Sequence, residues 1–110
     1  MSNKTLVFEE NEIKDFYFFG NQIIEFIVFT KELKIGFKAF NYCPNLKTVI
    51  FLNKTIIDEL AFTNCVRLEK VIFTDENNFE SSICKSFDNT PFKRKINSQT
   101  KYNDYILNSI

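Results

Sequence analysis

From Ile35 onward the apolar positions follow two different rhythms, and the pair of rhythms returns at an offset of 22 residues. In "LKTVIF" (46–51) and "LEKVIF" (68–73) the residues are β-branched and alternate, which is strand chemistry. The L-x-x-V-x-F spacing turns Leu46, Val49 and Phe51 to one side, and Leu68, Val71 and Phe73 likewise. The preceding halves, "IGFKAFNYC" and "IDELAFTNC", place Ile35, Ala39 and Cys43 four residues apart and predict a short helix or helical turn. Pro44 limits how far that turn can run, because proline restricts the residue before it.

The segment 35–51 matches 57–73 at eight positions: Ile, Ala, Phe, Cys, Leu, Val, Ile and Phe. A weaker copy precedes it in Ile13, Phe18, Asn21, Ile24, Ile27, Val28 and Phe29. Before that, Leu6 and Val7 take the register of Val28 and Phe29. Downstream the period slips, so that Phe87 stands for Phe62 and Thr90 for the cysteine. The chain therefore reads as one domain, 1–110. It has a partial turn at 1–12, repeats at about 13–34, 35–56 and 57–81, and a degenerate repeat with a C-terminal cap at 82–110. No single unit can bury its own Phe and Leu. Stacked units can, in ladders such as Phe18–Phe40–Phe62 and Phe29–Phe51–Phe73.

The pattern I-x-x-A-F-x-x-C-x-x-L-x-x-V-x-F resembles the BspA-type leucine-rich repeats, over roughly residues 5–92. The resemblance implies an α/β fold: a right-handed leucine-rich-repeat solenoid, with a short parallel sheet on the concave face and short helical turns on the convex face. It also implies a role in binding other proteins and no enzyme activity. The sequence departs from the pattern at Asn21, which replaces the cysteine of the first unit, and in the degenerate fourth unit.

In such an architecture the non-core strand positions face the concave side. Val28, Ile50 and Ile72 then share one outward position in three successive strands, and Leu6 extends the file to a fourth. With strands about 4.8 Å apart the file is roughly 15 Å long, bordered by Phe26 and Leu52. A solvated sheet face favours Thr, Lys or Glu, so an unbroken apolar file points to a contact surface. Strand propensity alone is the competing reading. The expected partner-binding set is Phe26, Val28, Lys47, Ile50, Leu52, Lys70 and Ile72. Glu25, Lys47 and Glu69 alternate in charge across neighbouring strands, which steadies a sheet.

Composition sharpens this picture mainly by what it omits. Histidine is absent, which removes the commonest general base and most zinc sites. Gly20 and Gly36, the only glycines, cannot build a phosphate-cradling loop. Acidic pairs at Glu9-Glu10, Asp58-Glu59 and Asp75-Glu76 read as solvated loops. No catalytic residue, cofactor or metal site is expected. Cys43 and Cys65 occupy equivalent places and read as stacked small core residues rather than a disulfide or metal ligands. Fourteen basic residues balance fourteen acidic ones without a block of either sign, which argues against nucleic acid or a membrane as partner. The first residues lack a signal-peptide core, so the expected location is cytoplasmic.

A protein partner is thus expected, for a small scaffold or adaptor. Lys47-Thr-Val49-Ile-Phe51 and Lys70-Val71-Ile-Phe73 also fit the short motif by which regulators dock on a protein phosphatase. Regulation of a phosphatase is therefore the alternative, although Val and Phe of both motifs are expected inside the core. Self-association into a homo-oligomer, through an open end of the solenoid or through the apolar file, is a third expectation.

Overall fold

In the computed structural model, residues 4–74 and 85–96 are described, and they wind into a parallel-strand solenoid. Strands β1 (Thr5–Phe8), β3 (Phe26–Phe29), β5 (Thr48–Phe51) and β7 (Lys70–Phe73) form a four-stranded sheet in the order β1-β3-β5-β7. Shorter strands β2 (Glu12–Ile13), β4 (Leu33–Ile35) and β6 (Thr55–Ile57) form a second sheet in the order β2-β4-β6. Every pairing is parallel. Each coil therefore has three sides: a strand of the large sheet, a strand of the small one, and an arc of turns that leads back.

The register follows the repeat. Val49 lies between Ile27 and Val71, and Phe51 between Phe29 and Phe73. All six are buried, as are Leu46 and Leu68. The phenyl rings stack coil on coil: Phe18 on Phe40 at 5.0 Å, Phe40 on Phe62 at 5.0 Å, Phe62 on Phe87 at 4.9 Å. A second ladder runs Phe29–Phe51–Phe73 at 5.1 and 5.2 Å. The two ladders meet edge to face, as where Phe51 meets Phe62 at 87°. Such pairs add about 0.5–1.5 kcal/mol each beyond the area they bury.

Two expectations need correction. The segments 35–43 and 57–65 are turns, not helices, although Ile35, Ala39 and Cys43 do share the inward side. Their backbone N–H groups alternate between the next coil and their own turn: Phe40 N–H donates to Ala61 O and Tyr42 N–H to Thr63 O, while Ala39 N–H and Asn41 N–H close single turns on Gly36 O and Lys38 O, so no continuous helical ladder forms. Left-handed residues interrupt the helical path at matching places, Phe16, Lys38 and Leu60, then Gly20, Tyr42 and Asn64. Among the described residues the helical elements are a 3-10 turn at Lys85–Phe87 and α1 at Pro91–Arg94. The second correction concerns β1. It pairs at an offset of 21, so Val7, and not Leu6, lies beside Val28, while Leu6 lies beside Ile27 and packs against the core. The one-residue slip flips which side chains face outward.

Two details hold neighbouring coils together. Gly36 passes so close to the first coil that a Cβ there would lie 2.6 Å from Asp15 N, and Asp15 Oδ1 accepts the Phe37 N–H at 2.8 Å. At the C-terminal side, Thr90 caps α1: its hydroxyl donates to Phe87 O and accepts from Lys93 N–H, with Pro91 in the first turn. This places Phe92 over Phe73 and Phe87, fully buried, with Ile96 nearly so. Tyr102, Tyr105, Ile106 and Ile110, also expected to contribute to the cap, lie outside the described residues.

Phe40 is buried between Phe18 and Phe62. Phe40→Ala is expected to lower the unfolding free energy by about 3–5 kcal/mol in urea titrations. A loss below about 1 kcal/mol would mean that the ladder is not what holds the coils together.

Candidate binding surface

Alternation along the four strands sorts their side chains into a buried set and an outward set. In β3, β5 and β7 the second and fourth residues are buried, and the first and third are half-buried or exposed. Val28, Ile50 and Ile72 are the third residues, half-buried and in register, and Val7 continues their line with 55% of its surface exposed. The file is therefore Val7–Val28–Ile50–Ile72. Beside it runs a second file, Thr5–Phe26–Thr48–Lys70. Lys47 directly precedes β5, and Leu52 directly follows it with 48% of its surface exposed. All seven residues expected to bind a partner thus lie on the outer side of this sheet or at its margin.

Charge is organised along one border of the face. Glu25 Oε1 and Oε2 lie 3.4 Å from Lys47 Nζ and Lys4 Nζ, one cation from each neighbouring coil. Partial burial opposes ionisation of Glu25, but the hydrogen bond from Lys47 and the two positive charges outweigh it, and the carboxyl is held below its ordinary value. Next to this triad, Lys47, Thr48, Val66, Arg67, Glu69 and Lys70 line a shallow groove of about 420 Å³. Three of those six are cations and one is an anion. Arg67 is held in place by Asn45 Oδ1, 3.1 Å from its guanidinium.

The cysteines lie on the other side of the coil wall. Cys43 and Cys65 are buried free thiols, and each donates to a carbonyl of the preceding coil, Phe18 O at 3.3 Å and Phe40 O at 3.1 Å. The neighbouring Cys43 thiol, and after it burial, push the Cys65 thiol up, so it stays protonated. Among the described residues no group of His, Cys, Asp or Glu is placed to hold a metal ion, and no helix is long and apolar enough to cross a membrane. The phosphatase-type motifs keep Val49, Phe51, Val71 and Phe73 inside the core. Exposed Glu9, Glu10 and Glu59 and half-buried Asp58 lie in bends and turns, and Asp75-Glu76 falls outside the described residues.

Sequence reasoning missed a second surface. On the turn side, Phe16, Phe19, Phe37 and Tyr42 touch one another in a chain with centroid distances of 5.7–6.0 Å. Phe16 and Tyr42 are 50% and 57% exposed and both adopt left-handed backbone, with φ of 60° and 57°. Each costs on the order of 1 kcal/mol relative to a residue that suits that conformation. The positions equivalent to Tyr42 in the neighbouring coils are Gly20 and Asn64, the residue types that do suit it. The fold does not ask for Tyr42. The run Phe16-Tyr17-Phe18-Phe19 carried a signal: four consecutive aromatics cannot all point inward, and only Phe18 joins the ladder.

Comparison with known proteins gave no matching family model, no matching curated protein and no matching solved structure.

Tyr42→Asn is expected to leave the thermal midpoint unchanged or to raise it, because the strain falls and little packing is lost. A loss of more than about 1 kcal/mol of stability would show that the ring serves the fold, not a contact.

Proposed function

We propose that this protein is a binding module, a small leucine-rich-repeat solenoid of the BspA kind, that holds a protein partner on the outer face of its four-stranded sheet. The observation that carries the reading is the in-register file Val7–Val28–Ile50–Ile72, apolar in all four strands at positions the interior does not need. An apolar line of this length gains most when water is excluded along all of it, which suits an extended or helical segment laid across the strands.

The margin suggests the partner's chemistry. Phe26 and Leu52 extend the apolar area, and Lys47, Arg67 and Lys70 border the adjoining groove. The best-matched segment carries apolar residues flanked by carboxylates. Charges at such a rim contribute mainly to encounter rate and orientation. Binding is the proposed activity: among the described residues this face offers apolar side chains and charges, and no nucleophile set beside a base. A phosphatase as the partner is the alternative. It too would be held on this face, because the docking-type Val and Phe residues are enclosed by the fold.

Ile50→Glu with Ile72→Glu is expected to abolish capture of specific partners from the native cell lysate, scored by quantitative mass spectrometry and a phosphatase assay. The far-ultraviolet circular dichroism should stay the same. Retention of the same partners by the folded double variant would end the sheet-face reading.

A further inference from the structure

The two ends of the solenoid are not alike. At the C-terminal end Phe92 and Ile96 cover the last rings, and Phe92 N–H donates to Leu68 O. No described strand lies outside β6 or β7, nor outside β1 or β2, and among the described residues no helix like α1 covers the core at the N-terminal end. There Leu6, Phe8 and Phe18 complete the core only on one side, and with Ile13 and Tyr17 they line a cavity of about 720 Å³. An open strand edge beside uncovered apolar side chains is a template for another strand.

The ladder states which groups are open. Phe26 N–H donates to Lys4 O and Thr30 N–H to Phe8 O, so the parallel pairing uses the backbone of Lys4, Leu6 and Phe8. The N–H and C=O groups of Thr5 and Val7 therefore point to the outer edge. Two such edges fit one another. Run antiparallel about a two-fold axis at Leu6, Thr5 of one copy exchanges both hydrogen bonds with Val7 of the other, and the reverse, with the two Leu6 side chains adjacent on the core side. The same register carries Lys4 of each copy, which also pairs with Glu25 of its own chain, past Phe8 of its mate, toward Glu9 and Glu10, which are exposed in the bend after β1. The opposite charges at the two ends of β1 thus complement each other across the axis.

We propose that the occupant of this end is a second copy of the same chain, joined β1 to β1 in a closed dimer with one continuous eight-stranded sheet. The contact is isologous, so it uses the β1 edge of both copies and closes at two. This inference does not rest on the partner proposed for the sheet face. The two are compatible, because the dimer would double the length of the apolar file.

Sedimentation equilibrium of the full chain from micromolar to millimolar concentration should show a mass rising from 13.0 kDa toward about twice that value. Val7→Pro removes an N–H from the outer edge but none from the β1–β3 ladder, so it should remain folded by circular dichroism and stay monomeric. Lys4→Glu should weaken the dimer by about tenfold, and combining it with Glu9→Lys and Glu10→Lys should restore it. A monomer at every concentration overturns the proposal, as does a dimer indifferent to Val7→Pro. So does a monomer whose Thr5 and Val7 amides exchange slowly, since another part of the chain would then cover the edge.

Discussion

The spacing between coils governs this molecule. Parallel strands sit about 4.8 Å apart, and a phenyl ring stacked on its equivalent in the next coil sits 4.9–5.2 Å away. Backbone hydrogen bonding and ring packing therefore ask for the same repeat distance. A chain that places Phe at the same point of every coil satisfies both at once. Any residue of different shape in the ladder leaves a void that two neighbouring coils must share, since interiors pack at crystal-like density. The coils are interdependent for this reason, and stability is a matter of nearest-neighbour contacts more than of any one unit.

That constraint decides where sequence variation can go. Inward positions are fixed by the ladders and by the buried thiols, which hydrogen-bond to the preceding coil. Outward positions are free, and the chain uses that freedom unevenly. On the large sheet it keeps one file apolar throughout. On the turns around Phe16 and Tyr42 it places exposed rings on left-handed backbone, where the coil geometry alone would favour glycine or asparagine. Both choices depart from what the interior requires, and both concentrate apolar surface where contact with another molecule is the physical use for it.

Much of this was legible in the chain. The 22-residue offset fixed the pairing of β3, β5 and β7, the Phe ladders, and the outward line of Val28, Ile50 and Ile72. The turns were not legible, because Ile35, Ala39 and Cys43 at spacings of four satisfy a helix and an inward-facing arc equally well. What decides between them is the bonding between coils, a property of stacking that no single unit displays. The strand at 33–35 and its partners escaped notice for a related reason. Three residues such as Leu33-Lys34-Ile35 carry too short an alternation to stand out, and their pairing comes from the coil register. The one-residue slip at β1 reflects a bend one residue shorter between β1 and β2 than between β3 and β4, which hydrophobicity could not reveal because Leu6, Val7 and Phe8 are all apolar.

The central claim is that coil stacking fills the interior with one half of each strand and leaves the other half as an apolar outer face. Proton–proton contacts between side chains in solution test it most directly, by nuclear Overhauser spectroscopy on the labelled protein. Contacts are expected from the Phe40 ring to Phe62 and from the methyl groups of Ile50 to those of Val28 and Ile72, with none from the Ile50 methyl groups to the Phe40 ring. Strong contacts between Ile50 and the phenyl ladder would place the apolar file inside the molecule and contradict that claim.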